Sequence, residues 1–463
     1  MPPRTRRKSL AADEASPAVN NVPAAPPPSP PPPSPLPTPP PEPRRWRFVA
    51  TLLSIPVPAF AVLASRLPSE RIRRDVAARR PLSVSPLAPL TRAPLAQPAS
   101  QMNLVLCVLA FLATLRLVPP VAAATLRRGL FGMDINKKGT AGGEVRVPEA
   151  AGLAAGAAFL GAATLHTWLR CGVLHPANTA PSHAALSACA AALLLGFVDD
   201  VLDVPWRVKL GLPAFAALPL IVAYSGSTDV VLPRPLAPYF PVALLPPAWV
   251  TPPNLLHLGR LYLLYMLAVS VFCTNSINIL AGVNGLEAGQ ALVLSLACAL
   301  HNLERMCFAA ATQTVAAHSL SLSFVAPLAA VTAALLCFNA YPSKVFVGDT
   351  FTLFAGMTLA VAGTLGHYTE TLLLFFAPQI FNFVYSVPQL LKIVPCPRHR
   401  LPRLDPSTGL LHGSNDYNLL NLVLRVGGPR SEQGVATLLI SLQAAVAVAT
   451  FALRWALAGV YKL

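Results

Sequence analysis

Three carboxylates crowd into five residues at the end of an apolar run, Asp199, Asp200 and Asp203, and Lys209 follows them. Carboxylates that close repel one another unless a cation or a basic side chain is near. Such a cluster suits Mg2+, a hard cation taking oxygen ligands, or supplies a general base. If the helix continues, Asp199 and Asp203 share a face at i, i+4 and Asp200 points elsewhere. The plainer reading is an acidic helix end, electrostatically poor at a C-terminus.

A second group spans Phe272 to Gln290. Asn275 and Asn278 are three residues apart, so on a helix they share one face. A buried amide must find partners, and two stacked at a membrane helix end suggest a site. Gly282, Asn284 and Gly285 then form a turn in which backbone can approach a ligand, and Glu287 opens the next run where a carboxylate suits a helix N-terminus. A polar cap with a tight turn would read the same way.

The third group is Phe346-Val347-Gly348-Asp349-Thr350. Asp349 sits where a helix should start, either as an N-cap or as a ligand, and Phe346 could stack a planar base or simply pack. The fourth is Pro395-Cys396-Pro397-Arg398-His399-Arg400, a polyanion signal or a positive-inside anchor. The turn Asp405–Gly409 beyond it predicts a short two-stranded flap. Glu149 and Asn136-Lys137-Lys138 alone read as surface residues.

The elements that must position these groups are membrane helices. The chain has 463 residues, 54% hydrophobic and only 12% charged, against about 25% charged in soluble domains. Apolar runs near 103–125, 148–168, 183–199, 208–225, 259–280, 287–303, 317–339, 350–367, 371–393 and 433–457 predict an all-α polytopic membrane protein of about ten transmembrane helices. The loops after odd-numbered spans carry the polar groups above, so all of them fall on one side, cytosolic by the positive-inside rule. The net charge of +16 does not point to nucleic acid, because residues 1–100 hold fourteen Lys/Arg against five Asp/Glu, and half of the 50 prolines. That stretch reads as a disordered Pro/Arg-rich extension with one ambiguous apolar segment, 48–67, ahead of a single polytopic membrane domain at 101–463. The eight cysteines show no metal-ligand spacing.

Gly196-Phe-Val-Asp-Asp-Val-Leu-Asp203, Thr274-Asn-Ser-Ile-Asn-Ile-Leu-Ala-Gly-Val-Asn-Gly-Leu-Glu287, Val345-Phe-Val-Gly-Asp-Thr-Phe351 and Pro395-Cys-Pro-Arg-His-Arg-Leu-Pro-Arg403 together resemble the polyprenyl-phosphate N-acetylhexosamine-1-phosphate transferases, in their eukaryotic branch. The resemblance runs in order from about residue 101 to the C-terminus. It implies ten helices, a hairpin-like flap between helices nine and ten, an endoplasmic-reticulum membrane and a cytosol-facing site. The implied reaction moves N-acetylglucosamine-1-phosphate from UDP-N-acetylglucosamine to dolichyl phosphate and releases UMP, the first step of dolichol-linked oligosaccharide synthesis for N-glycosylation. By the same resemblance Asn278 and Asp349 match magnesium ligands, and Lys209 and Arg398 pyrophosphate contacts. Phe346, Gly282 and Asn284 match the nucleotide pocket, His399 and Arg400 the loop that reads the sugar. Asn275 matches a polar site residue, Asp199 and Asp200 the paired aspartates, and Glu149 a site carboxylate. Asp199, with Asp200 as the alternative, is expected to orient or deprotonate the lipid phosphate, a purely electrostatic role staying open. Mg2+ is the implied cofactor. The implied partners are UDP-N-acetylglucosamine, dolichyl phosphate and membrane lipid; homodimerisation stays open.

Asp203 stands where animal members commonly carry Asn, the flap between Arg403 and Asn418 is shorter than theirs, and residues 1–100 have no counterpart. A transporter is the rival from another class, and it predicts polar residues near mid-span with repeated halves. This chain places them at helix ends and shows no repeat.

Overall fold

The computed structural model describes residues 98–137, 143–170, 179–231, 250–251, 255–309, 311–397 and 400–461. All of them lie in one of two units of the chain, Glu42–Leu463. The N-terminal extension through residue 97, with its apolar segment 48–67, lies outside the described residues, as do Lys138, Arg398 and His399.

Helix α1 (Pro98–Arg127) is followed by a two-stranded antiparallel pair, β1 (Phe131–Met133) and β2 (Arg146–Pro148), and then α2 (Gly152–Leu169), α3 (Ala180–Leu202) and α4 (Trp206–Val222). A small antiparallel sheet of β3 (Asp229–Val231), β4 (Val250–Thr251) and β5 (Leu255–His257), in the order β3-β5-β4, precedes α5 (Arg260–Ile279). The chain continues through α6 (Leu286–Phe308), α7 (Thr312–Asn339), α8 (Gly348–Leu365), α9 (Thr369–Phe375) and α10 (Ala377–Leu390). The expected flap is present as β6 (Arg403–Asp405) and β7 (Leu410–His412), antiparallel with Arg403 opposite His412. Its turn is fixed by the Asp405 carboxylate, which accepts from Ser407 N–H, Ser407 Oγ and Thr408 Oγ1. Helices α11 (Leu419–Gly427) and α12 (Glu432–Tyr461) end the chain.

Among the described residues seven helices are long and apolar enough to cross a membrane, or eight if α9 and α10, bent by 70°, count as one broken span. That makes an all-α polytopic membrane protein. The other two of the ten expected segments are α4 and α8, and each falls short for a visible reason. Helix α4 has 17 residues with Pro213 and Pro219 inside it. Helix α8 has 18 residues that include Asp349 and four threonines, and every residue from Thr350 to Thr364 is buried. A helix walled in by other helices needs no lipid-compatible surface.

Helix α8 is central because its neighbours approach it at small residues. A Cβ on Gly196 of α3 would meet the Asp349–Thr350 backbone, and one on Gly356 would meet the α5 backbone at Cys273 and Thr274. Backbones can pack this closely only where the side chain is missing, the usual route to tight helix contact in lipid. The second expected span starts later than its apolar run, because Pro148 still belongs to β2 and Ala150, at a positive φ of 58°, turns the chain before α2 begins at Gly152. The ninth span breaks at Phe376, with Pro378 in the first turn of the helix that restarts.

Three glutamines hold this region. Gln290 of α6 donates to Ile277 O and Leu280 O at the end of α5, and Gln379 of α10 donates to Gln290 Oε1 and Gln443 Oε1. Gln443 in turn caps Phe375 O at the break. Carbonyls freed at helix ends inside a membrane need such partners.

Candidate active site

Each of the five loops expected on one face contributes to a single cavity of about 460 Å³. Its lining takes Met133–Asn136 and Glu149 from the α1–α2 loop, and Asp199, Asp200, Asp203 and Lys209 from the α3–α4 junction. Asn278, Gly282, Val283, Asn284 and Glu287 come from the α5–α6 junction, Asn339 from the end of α7, and Phe346–Asp349 and Thr352 from the approach to α8 and its first turns. Leu401, next to the flap, completes it.

At its most polar point Asp349 meets two side chains from other helices. Asn278 Nδ2 lies 2.6 Å from Asp349 Oδ1, and Lys209 Nζ lies 3.1 Å from Asp349 Oδ2. The same ammonium is 2.8 Å from Asp199 Oδ2. The Asp199 carboxylate is only 1% exposed, and a carboxylate that deep depends on its partner cation. Its other oxygen accepts the Val204 N–H at 3.0 Å, just past the left-handed turn at Asp203 that ends α3.

Asp200 has different work. Its Oδ1 accepts the backbone N–H of Asp349 at 2.7 Å, and its Oδ2 accepts the N–H and hydroxyl of Thr350 at 3.0 and 2.5 Å. It therefore caps the N-terminus of α8 from another helix, supplying acceptors for amides that have no partner in their own helix. Gly348, at φ 72°, brings the chain against that carboxylate; a side chain there would collide with it. Asp349 is not the cap of its own helix, and its carboxylate is left facing the cavity.

Glu149 stands near this group, and burial pushes its pKa up, helped by the Asp349 carboxylate and opposed by Lys209. Phe346 lines the cavity with its ring against Gly132, where a Cβ would be 2.9 Å from the ring. Gly282 and Gly285 form the expected turn with φ of 112° and 83°, a conformation that favours glycine. Glu287 Oε1 accepts the Gly282 N–H at 3.2 Å.

Two expected residues stand apart. Asn275 does not line the cavity; its Nδ2 donates back to Val271 O within α5 at 2.8 Å. Arg400 also lies outside the lining, its carbonyl accepting from Asn418 and Asn421 and its Nη1 buried without a hydrogen-bond partner. Arg398 and His399 fall outside the described residues.

Sequence reasoning missed Asn339 and Thr352, both cavity-lining. Asn339, the last residue of α7, donates to Val345 O and so holds the loop that carries Phe346. A single Asn ending an apolar run was the one signal available. Asn136, which reads as a surface residue in the sequence, is instead 5% exposed, donates to Gly282 O at 2.5 Å, and leaves its Oδ1 without a partner at the cavity wall.

Asn278 and Asp349 could together hold a hard cation. A half-turn of the Asn278 amide, which exchanges its nitrogen and oxygen, would set two oxygens side by side. No cluster of three or more His, Cys, Asp or Glu fit to hold a metal occurs among the described residues. One carboxylate and one amide suit an ion that keeps water and substrate oxygens as its remaining ligands.

A family model for glycosyl transferase family 4 matches residues 183–367, the stretch that holds Asp199, Lys209, Asn278 and Asp349. A UDP-N-acetylglucosamine–dolichyl-phosphate N-acetylglucosaminephosphotransferase from Dictyostelium discoideum is 42% identical over 359 residues, 74% of this chain and 86% of the relative. The enzyme of that name from Leishmania amazonensis is 36% identical over 433 residues, 76% of this chain and 92% of the relative. A phospho-N-acetylmuramoyl-pentapeptide-transferase from Anoxybacillus flavithermus is 29% identical over 269 residues, 55% of this chain and 72% of the relative. With identity at that level across most of both chains, this protein belongs to glycosyl transferase family 4.

Proposed function

We propose that the protein transfers N-acetylglucosamine-1-phosphate from UDP-N-acetylglucosamine to dolichyl phosphate, giving N-acetylglucosaminyl-diphosphodolichol and UMP. This is the first step of dolichol-linked oligosaccharide assembly for N-glycosylation. The observation that carries the reading is the meeting of Asp349, Asn278 and Lys209, from three separate helices, within 3.1 Å in a polar cavity. Two relatives that bear the name of this activity, at 42% and 36% identity, support it.

Phosphoryl transfer needs positioning and charge neutralisation more than covalent chemistry from the protein. Asn278 and Asp349 would hold Mg2+, which when bound neutralises charge on the donor diphosphate. Lys209 supplies a second positive charge, and on arrival of the anionic substrate its ammonium can exchange a carboxylate for a phosphate oxygen. Two roles are open to Asp199, base toward the lipid phosphate or holder of Lys209. Its contacts to Lys209 and Val204 N–H favour holding, and a dianionic lipid phosphate needs no base. Phe346, Asn284 and the open Asn136 Oδ1 suit a planar base with a hydrogen-bonding edge. Arg398, His399 and Arg400 would contact the diphosphate and the sugar. The acceptor is a membrane lipid, which accounts for a site at helix ends, and the loops that form it would face the cytosol from an endoplasmic-reticulum membrane.

The test is to incubate purified protein with UDP-N-acetylglucosamine, dolichyl phosphate and Mg2+ and to quantify UMP and glycolipid. Equimolar formation of both is expected. UMP without glycolipid, or neither product from folded protein, overturns the reading.

A further inference from the structure

The last helix opens with Glu432, whose side chain is only 6% exposed. An acid at a helix N-terminus has a plain electrostatic reason to be there, but it then ordinarily stays in water. Here the carboxylate reaches into two other segments. Oε1 accepts the backbone N–H of Asn284 at 2.8 Å, and Oε2 lies 3.7 Å from Lys137 Nζ. Lys137 pairs with Asp134 Oδ2 at 2.5 Å, and that same oxygen accepts from Asn284 Nδ2 at 3.1 Å. The contacts close a ring, Glu432 to Asn284 to Asp134 to Lys137 and back to Glu432. Burial would lower the Lys137 pKa, but Glu432 and Asp134 outweigh it and hold the pKa up, so the ammonium stays charged. Asp134 and Asn284 line the cavity, whereas Glu432 and Lys137 stand behind it. Asn136 adds a parallel strap to Gly282 O.

We propose that Glu432 is a positioning residue for donor binding: it fixes the spacing between the α1–α2 loop and the α5–α6 turn, and so sets the width of the amide-bearing wall against which the base of the nucleotide-sugar rests. The inference rests on the proposed function for the identity of that ligand. Its chemistry is that of the wall itself, amide groups and the Phe346 ring, which match a planar heterocycle and not a lipid phosphate. Glu432 touches no substrate. Its action passes through Asn284 and Asp134.

The test is steady-state kinetics of Glu432→Ala and Glu432→Gln, with each substrate varied in turn, alongside amide hydrogen exchange of residues 281–286 in the substrate-free protein. Glu432→Ala should raise KM for UDP-N-acetylglucosamine roughly tenfold or more, the scale on which small misplacement acts. Its kcat should fall by less than about threefold, with KM for dolichyl phosphate unchanged, the pattern of lost donor binding. Glu432→Gln keeps an acceptor for the Asn284 N–H but not the charge, so it should raise donor KM by only about two- to fivefold. Exchange in the turn should quicken in both variants. An equal fall in kcat with both KM values unchanged, or a Glu432→Gln donor KM equal to that of the parent, overturns the inference. If Glu432→Ala does not fold, Glu432→Gln decides alone. If the parent protein has no activity on this substrate pair, the proposed function fails instead, and unaltered exchange at 281–286 in Glu432→Gln would still overturn the positioning role.

Discussion

The Asp349 N–H donates to Asp200 Oδ1 at 2.7 Å, while the Asp349 carboxylate turns away to Asn278 and Lys209. One aspartate does the capping so that the other is free to face the cavity. Asn caps a helix about as well as Asp, so a capping Asp349 would tolerate Asn, and the geometry says this one should not. Asp349→Asn is expected to lower kcat/KM on the order of 100-fold or more, about 2.7 kcal/mol, and to raise the Mg2+ concentration needed for half-maximal activity. Its thermal stability should change little. Asp200→Asn should do the reverse first, losing one acceptor of the cap and about 1–2 kcal/mol of stability. Kinetics paired with thermal unfolding in detergent separates the two. Equal tolerance at Asp349 would return it to a structural role.

Lys209 sits between Asp199 and Asp349 at 2.8 and 3.1 Å. Removing its charge leaves one carboxylate buried beside another with no cation. Lys209→Met should therefore lose both activity and stability. Lys209→Arg keeps the charge in a larger planar group and should recover stability well but activity only partly. Unchanged stability in Lys209→Met, measured by thermal unfolding without substrate, would show that the pair is solvent-screened and unimportant to the resting protein.

Glu149 gives a pH test. Its pKa is raised by burial and by Asp349, so the folded protein binds this proton more tightly than the unfolded chain does. By linkage, stability falls as pH rises from the ordinary glutamate range through the raised value, and the penalty is fully present above it. Glu149→Gln removes the penalty. The variant should be more stable than the parent at neutral pH, and the advantage should vanish as pH drops below the ordinary glutamate range. Unfolding temperatures of both proteins across that range check the sign. Lower activity together with higher stability would mean the carboxylate is kept for the site at a cost to the fold.

Most of the architecture was legible because lipid demands long apolar runs, and each expected run has its helix or bent pair. The broken ninth span was not: Pro378 and Gln379 interrupt the apolar run 371–393, but only the Gln443 contact to Phe375 O shows how lipid tolerates the break. The division of labour between Asp199 and Asp200 was hidden for another reason. Helical phase says that they point apart, but not which one meets the α8 N-terminus. Glu432 was invisible because an acid at a helix start already has a local explanation, and its real partners lie far away along the chain. Asn136 failed the same way, as a polar loop residue whose burial depends on a turn formed by Gly282.

Gly282 joins that turn to the flap, and the connection can be measured. Its φ of 112° strains any L-residue, and a Cβ there would sit 2.5 Å from the Leu401 side chain. Gly282→Ala thus carries two penalties, backbone strain of about 1 kcal/mol or more and a clash with the segment that closes the cavity. Leu401→Ala removes the clash and leaves the strain. If Leu401 packs over Gly282 in the working enzyme, Gly282→Ala alone should impair donor binding severely, and Leu401→Ala alone mildly. The double variant should recover part of the loss, giving a coupling energy on the order of 1 kcal/mol in a double-mutant cycle on kcat/KM. Strain and clash act at different places, so the cycle separates them: full additivity would mean that the flap stands open during turnover and that only the backbone of the turn matters. Complete recovery would assign the whole effect to the clash and leave the positive φ without consequence.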